Sequence, residues 1–132
     1  MHITGGCHCG KITYEAEIDP AAASICHCTD CQILSGTAFR FNVFAKRADF
    51  HLKGEPKIYI KTAESGNKRA QAFCPDCGTQ IYASTAENRE VFGIRLGTCD
   101  QRAQIKPSRQ IWSRSALPWL HDDWGPRIEK QA

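Results

Sequence analysis

With 132 residues, 42% hydrophobic and 23% charged, the chain has the length and composition of one folded domain, taken as residues 1–132. A net charge of +3 is too weak to indicate a nucleic-acid partner, and no stretch approaches the ~18 apolar residues of a membrane helix. The N-terminus lacks a basic region followed by an apolar run, so no signal peptide is expected and the chain is read as cytoplasmic.

In chain order, the first feature is Gly5-Gly6-Cys7-His8-Cys9-Gly10, two thiols flanked by glycines that permit close backbone approach. Lys11 to Ile18 alternates apolar and polar residues and predicts a half-buried strand, ended by Asp19-Pro20. Ala21 to Ile25 reads as a short strand leading into Cys26-His27-Cys28-Thr29-Asp30-Cys31. Thr29 to Leu34 predicts one helical turn, capped by Thr29 or Asp30 and broken at Ser35-Gly36. Further strands are predicted over Ala38 to Phe44, Phe50 to Leu52, Lys57 to Lys61, Arg69 to Phe73, Gln80 to Ser84, Glu90 to Leu96 and Ser108 to Trp112. Gly97 to Lys106 is a connector, and residues 119–132 form an irregular tail that wraps the body. Short strands with closely spaced turn signals predict an all-β domain with little helix.

Eight cysteines without a secretion signal point to metal or redox chemistry in a reducing compartment. Cys74-Pro75-Asp76-Cys77-Gly78 is the most specific local pattern. Pro75 pre-sets a turn, and Gly78 accepts the positive φ that aims backbone N–H groups at the sulfurs. Such a knuckle supplies two ligands and needs two more, for which Cys7 and Cys9 are the natural partners. Cys26, Cys28 and Cys31 then form a second group of three, leaving a position for water or substrate. Spacing alone also allows this triplet to share a metal with Cys74 and Cys77; four plus three is the economical partition. Seven thiolates and two zinc ions would bring the net charge to about zero.

His8 and His27 sit between cysteines and are expected to point away from any metal, while Trp112, Trp119 and Trp124 are expected to cover the core. Cys99 reads as a small buried residue, with a redox nucleophile as the alternative. Arg95, Arg109 and Arg114 could bind a substrate carboxylate, with solvated surface as the default.

Taken together, the three cysteine motifs in this order resemble the glutathione-dependent formaldehyde-activating enzyme family, which includes the centromere-protein-V-like proteins. Gly54-Glu55-Pro56, Ser65-Gly66, and Ile111-Trp112 followed by Pro118-Trp119 are similar too. The resemblance runs from Gly5 to about Trp119. It implies a β-tent of short antiparallel sheets stapled by zinc, a fold shared with methionine-R-sulfoxide reductases and Rab-binding chaperone domains. It implies a structural zinc on Cys7, Cys9, Cys74 and Cys77, and a second zinc on Cys26, Cys28 and Cys31. The family is classed with carbon–sulfur lyases, for adding glutathione to formaldehyde. Two positions depart from its pattern: Cys99 replaces an aliphatic residue, and Gln32 stands where many members have a basic one.

The function expected is that of a zinc-dependent carbon–sulfur lyase acting on a small-molecule thiol adduct of a small aldehyde, such as S-hydroxymethyl-glutathione. A zinc module for a protein partner or for metal storage, and a thiol redox enzyme using Cys99, are the alternatives.

Overall fold

The computed structural model describes residues 1–121 and 123–131; Asp122 and Ala132, in the expected tail, lie outside the described residues. Strands dominate, in two sheets. The smaller sheet has the order β1-β2-β5, from β1 (His2–Gly6), β2 (Thr13–Glu17) and β5 (Phe50–Lys53), all antiparallel. The larger has the order β10-β3-β4-β9-β8-β7-β6. Its members are β3 (Ser24–Cys26), β4 (Arg40–Lys46), β6 (Lys57–Thr62), β7 (Lys68–Phe73), β8 (Gln80–Thr85), β9 (Val91–Arg95) and β10 (Arg109–Ile111).

The expected strands form, with ends shifted by a few residues. Three points differ from the sequence reading. The N-terminal segment pairs as β1, because Gly5 and Gly6 fit beside Tyr14 and Thr13 of β2. Residues Pro20–Ala22 form a short 3₁₀ turn capped by the Asp19 side chain, so β3 begins only at Ser24. β10 joins β3 in parallel, the one exception to the antiparallel pattern among the paired strands described.

Alternation along the strands builds one core between the sheets. Ile3, Ile12, Tyr14, Ala16 and Ile18 from the small-sheet side meet Val43, Ala45, Ala72, Ile81, Tyr82 and Ile94 of the large sheet. Phe50 stands edge-on to both Tyr14 and Tyr82, with ring centroids 5.7 and 5.6 Å away, joining the two faces. The other face of the large sheet carries Arg40, Asn42, Gln71, Gly93 and Arg95, because side chains alternate with period two.

Gly5 has a steric role. A Cβ there would fall onto the carbonyl oxygen of Thr98 and the ring of Tyr14, where β1 bridges to Cys99. Gly5→Ala is therefore expected to cost about 3 kcal/mol of stability, read by chemical denaturation, since overpacking at a backbone contact cannot relax through a rotamer. A change below ~0.5 kcal/mol would show that this contact is loose.

The tail after the 3₁₀ turn Ser113–Ser115 returns beside β10, with Ile128 N–H donating to Gln110 O at 2.9 Å and Gln110 N–H to Pro126 O at 3.0 Å. The tryptophans lie outside the core. Trp119 is 65% exposed, Trp112 and Trp124 are half-buried, and Trp124 packs on Phe39 at 4.9 Å. No helix of the described residues is long and apolar enough to cross a membrane.

Candidate metal centres

The fold brings seven of the eight cysteines into two groups, the four-plus-three partition that the sequence favoured without deciding it. The sulfurs of Cys7, Cys9, Cys74 and Cys77 lie within 4.8 Å of one another, and so do those of Cys26, Cys28 and Cys31. The triplet does not share a group with Cys74 and Cys77, which removes the alternative partition.

The closed group is assembled from both sheets. Cys7 and Cys9 follow β1, and Cys74 and Cys77 follow β7 in the turn before β8. Gly78 sits at φ 77° and its N–H closes the turn onto Cys74 O at 2.8 Å. The Sγ atoms of Cys7 and Cys9 are 3.6 Å apart, those of Cys9 and Cys74 3.7 Å. Four sulfurs at about 2.3 Å from a tetrahedral zinc would be about 3.8 Å from each other, so the spacing suits such an ion. Donors aim at the sulfurs: Ile12 N–H at Cys7 Sγ, 3.3 Å, and the Thr79 hydroxyl at Cys77 Sγ, 3.2 Å. The Thr79 hydroxyl and amide hold the Cys77 thiol down to about 5. The Lys11 amide works to lower Cys9, but desolvation and then the crowding of Cys7, Cys74 and Cys77 push it up to about 12. Four thiols this close cannot all ionise without a cation among them. Lys11 also forms an ion pair with Asp76 across the rim.

The triplet spans β3, the following loop and α1 (Thr29–Ser35). The helix starts at Thr29 as expected, but its cap is Cys28 rather than Thr29 or Asp30. The Cys28 Sγ accepts from Cys31 N–H at 3.2 Å, and the C-cap is Gly36 at φ 71°. The cap fixes Cys28 and Cys31 on one side, and β3 brings Cys26 to them. Hydrogen bonds from Cys26 and then Cys31 hold Cys28 far below the ordinary thiol range, helped by the Cys31 amide and the Lys61 cation. The same contacts push the Cys26 thiol up. Cys26 and Cys31 are buried and Cys28 is half-buried, so the group opens toward solvent on the Cys28 side.

The neighbouring residues take structural roles. His27 is fully buried, points away from the sulfurs and places Nε2 2.7 Å from Gln110 Oε1. His8 is exposed. Gln32, at the position where the family pattern often has a basic residue, donates to His27 O at 2.8 Å and Ser115 O at 3.0 Å, tying the triplet loop to the tail. Cys99 is fully buried, as expected, and burial pushes its thiol up. Arg109 and Arg114 are exposed, but Arg95 is 7% exposed, against the expectation of solvated surface. Arg40 was not singled out in the sequence, yet its Nη1 lies 3.9 Å from Cys31 Sγ. The sequence gives no signal for it, because Arg40 alternates with Phe39, Phe41 and Val43 and so falls on the polar side of the strand.

The comparisons agree with the geometry. In fold, the chain is similar to a Rhodobacter sphaeroides protein solved by crystallography in a structural genomics programme. The TM-score is 0.57 with 18% sequence identity, over 95% of this chain and 99% of that one. At the sequence level, residues 2–115 match the family described as glutathione-dependent formaldehyde-activating enzyme. That match covers all three cysteine motifs and most of the chain, and the protein therefore belongs to the glutathione-dependent formaldehyde-activating enzyme family.

Proposed function

We propose that the protein is a zinc-dependent carbon–sulfur lyase-type enzyme acting on the thiol adduct of a small aldehyde, of the S-hydroxymethyl-glutathione kind. Cys7, Cys9, Cys74 and Cys77 would hold a structural zinc, and Cys26, Cys28 and Cys31 the zinc that meets substrate. The observation that carries this reading is the convergence of exactly the donors of an open site, three sulfurs with no fourth His, Cys, Asp or Glu among the described residues. A zinc bound there would supply Lewis acidity and lower the pKa of a bound thiol.

The chain's own residues define the rest. Cys28, as helix cap, holds the solvent-facing edge of the triplet, and Lys61, paired with Asp30 at 2.9 Å, joins β6 to the first turn of α1. The sulfur of the substrate would take the open position next to Cys28. In the forward reaction its lone pair forms the C–S bond to the aldehyde carbon, and the carbonyl oxygen takes its proton from water. Beyond the Lys61–Asp30 ion pair, no acid/base pair of side chains flanks the sulfurs among the described residues, which suits a reaction that needs only a thiolate and solvent. The same shortage supports the second reading, a zinc module that binds a protein partner. The Cys99 sulfur donates to Gln101 Oε1 at 3.6 Å and belongs to neither cysteine group, so no observation favours a redox role.

Metal content and turnover test the reading. Native mass spectrometry of protein purified without added metal is expected to show two zinc ions per chain and one free thiol, Cys99. Saturable release of formaldehyde from S-hydroxymethyl-glutathione is expected from that species. Two zinc ions without turnover of any S-hydroxymethyl thiol would favour the binding module.

A further inference from the structure

The face of the large sheet turned away from the core carries two arginines that the proposed chemistry does not use. β4 places Arg40 opposite Cys26 of β3, and Asn42 opposite Arg95 of β9. Arg40 is 5% exposed and Arg95 7%. Arg40 Nη1 donates to Gln71 Oε1 at 3.3 Å, and Arg95 Nη2 donates to the same oxygen at 2.7 Å. Arg95 Nη1 donates to Asn42 Oδ1 at 2.6 Å. Two guanidiniums thus share one neutral amide, and Arg40 Nη2 and Arg95 Nε are buried with no hydrogen-bond partner.

Among the described residues no carboxylate lies in ion-pair range of either arginine. Lys61, the other cation beside the triplet, is already neutralised by Asp30, and Arg69 adds a further positive charge on the same face. Buried charge without a counter-ion is costly, so a sequence that keeps two such arginines needs an anion beside them. The groups available are the triplet sulfurs, Cys31 Sγ being 3.9 Å from Arg40.

The charge count then bears on the ligand. Three thiolates around a divalent ion carry −1 and the two buried guanidiniums +2, and Arg69 adds to the excess, so the site keeps a net positive charge. We propose that Arg40 and Arg95, bridged by Gln71, are the counter-charge of the triplet and make the site select an anionic fourth ligand, a thiolate, over a neutral donor. This rests on the reading of the triplet as an open metal site. A thiol that enters releases its proton to solvent, and its negative charge offsets one unit of that excess. Arg40 and Arg95 are positioning residues, acting on the ligand through charge.

Cobalt(II) in place of zinc reports this without turnover, because its charge-transfer and d–d bands follow the donors around it. Protein carrying cobalt in both sites is titrated with 2-mercaptoethanol and with imidazole at fixed pH. The closed four-thiolate site should not respond. The ratio of the two affinities is measured for the unmodified chain, Arg40→Met, Arg40→Lys and Arg95→Met, with melting temperature followed in parallel. Arg40→Met and Arg95→Met are expected to lose about tenfold or more of the preference for the thiol, and Arg40→Lys to keep most of it. An unchanged ratio in either Met variant, whatever its melting temperature, would overturn the proposal, since a purely structural arginine moves stability alone. Should Arg40→Met not fold, Arg95→Met decides. If only one cobalt binds per chain before any ligand is added, the open-site reading itself has failed.

Discussion

Cys74→Ala is expected to leave a chain that does not reach the native state at room temperature. Cys74 is fully buried at the base of the knuckle, and its sulfur is 3.7 Å from that of Cys9. The closed group links the loop after β1 in the small sheet to the turn after β7 in the large one, so a metal there holds the two halves of the core together. A structural zinc contributes on the order of 10 kcal/mol, against a total stability of about 5–15 kcal/mol for a domain of ordinary size. Removing one ligand also leaves three crowded thiols without the cation that lets them ionise. The melting temperature should fall by tens of degrees or the transition vanish, with loss of one zinc per chain. A Cys74→Ala protein that melts within a few degrees of the parent would show that this group holds no structural metal.

Cys28→Ser should have the opposite signature: full loss of function with the fold intact. Serine at an N-cap accepts a hydrogen bond from the helix backbone as well as any residue does, so α1 keeps the bond that Cys28 Sγ now accepts from Cys31 N–H. A serine hydroxyl does not replace a thiolate on zinc, and even outer partners of metal ligands cost 10–100-fold when removed. Turnover of S-hydroxymethyl-glutathione is expected to fall by at least about 100-fold, with the second zinc gone and the first retained. Cys28→Ala is a useful companion, losing the same metal but also the cap, for about 1 kcal/mol of additional instability. If Cys28→Ser unfolds the protein, the triplet is a structural site; if it leaves turnover unchanged, the chemistry lies elsewhere.

Much of this architecture was legible in the sequence because its signals are local. Alternation in Lys11 to Ile18 and Lys57 to Lys61 marks strands through the period-two geometry of the backbone. Pairs of cysteines one or two residues apart announce chelation because a short segment can place both sulfurs on one ion. The three motifs in order were enough to recognise the family. What was missed had little local signature: β1 hides in a glycine-containing segment whose pairing depends on β2, and the parallel docking of β10 on β3 depends on a chain reversal far along the sequence. The helix cap was assigned to Thr29 or Asp30 because those residues lead by propensity, whereas the demand that Cys28 and Cys31 face one point moved it to Cys28.

The sequence by itself determined the strand-rich class, the seven clustered thiols and the family, since each depends on residues within a few positions or on a motif order. Which cysteines share a centre was decided only by the tertiary structure, because Cys7 and Cys9 meet Cys74 and Cys77 through the packing of two sheets. The same holds for Arg40, Arg95 and Gln71. They come from three different strands, and only the register of the large sheet sets their unneutralised charge beside Cys31.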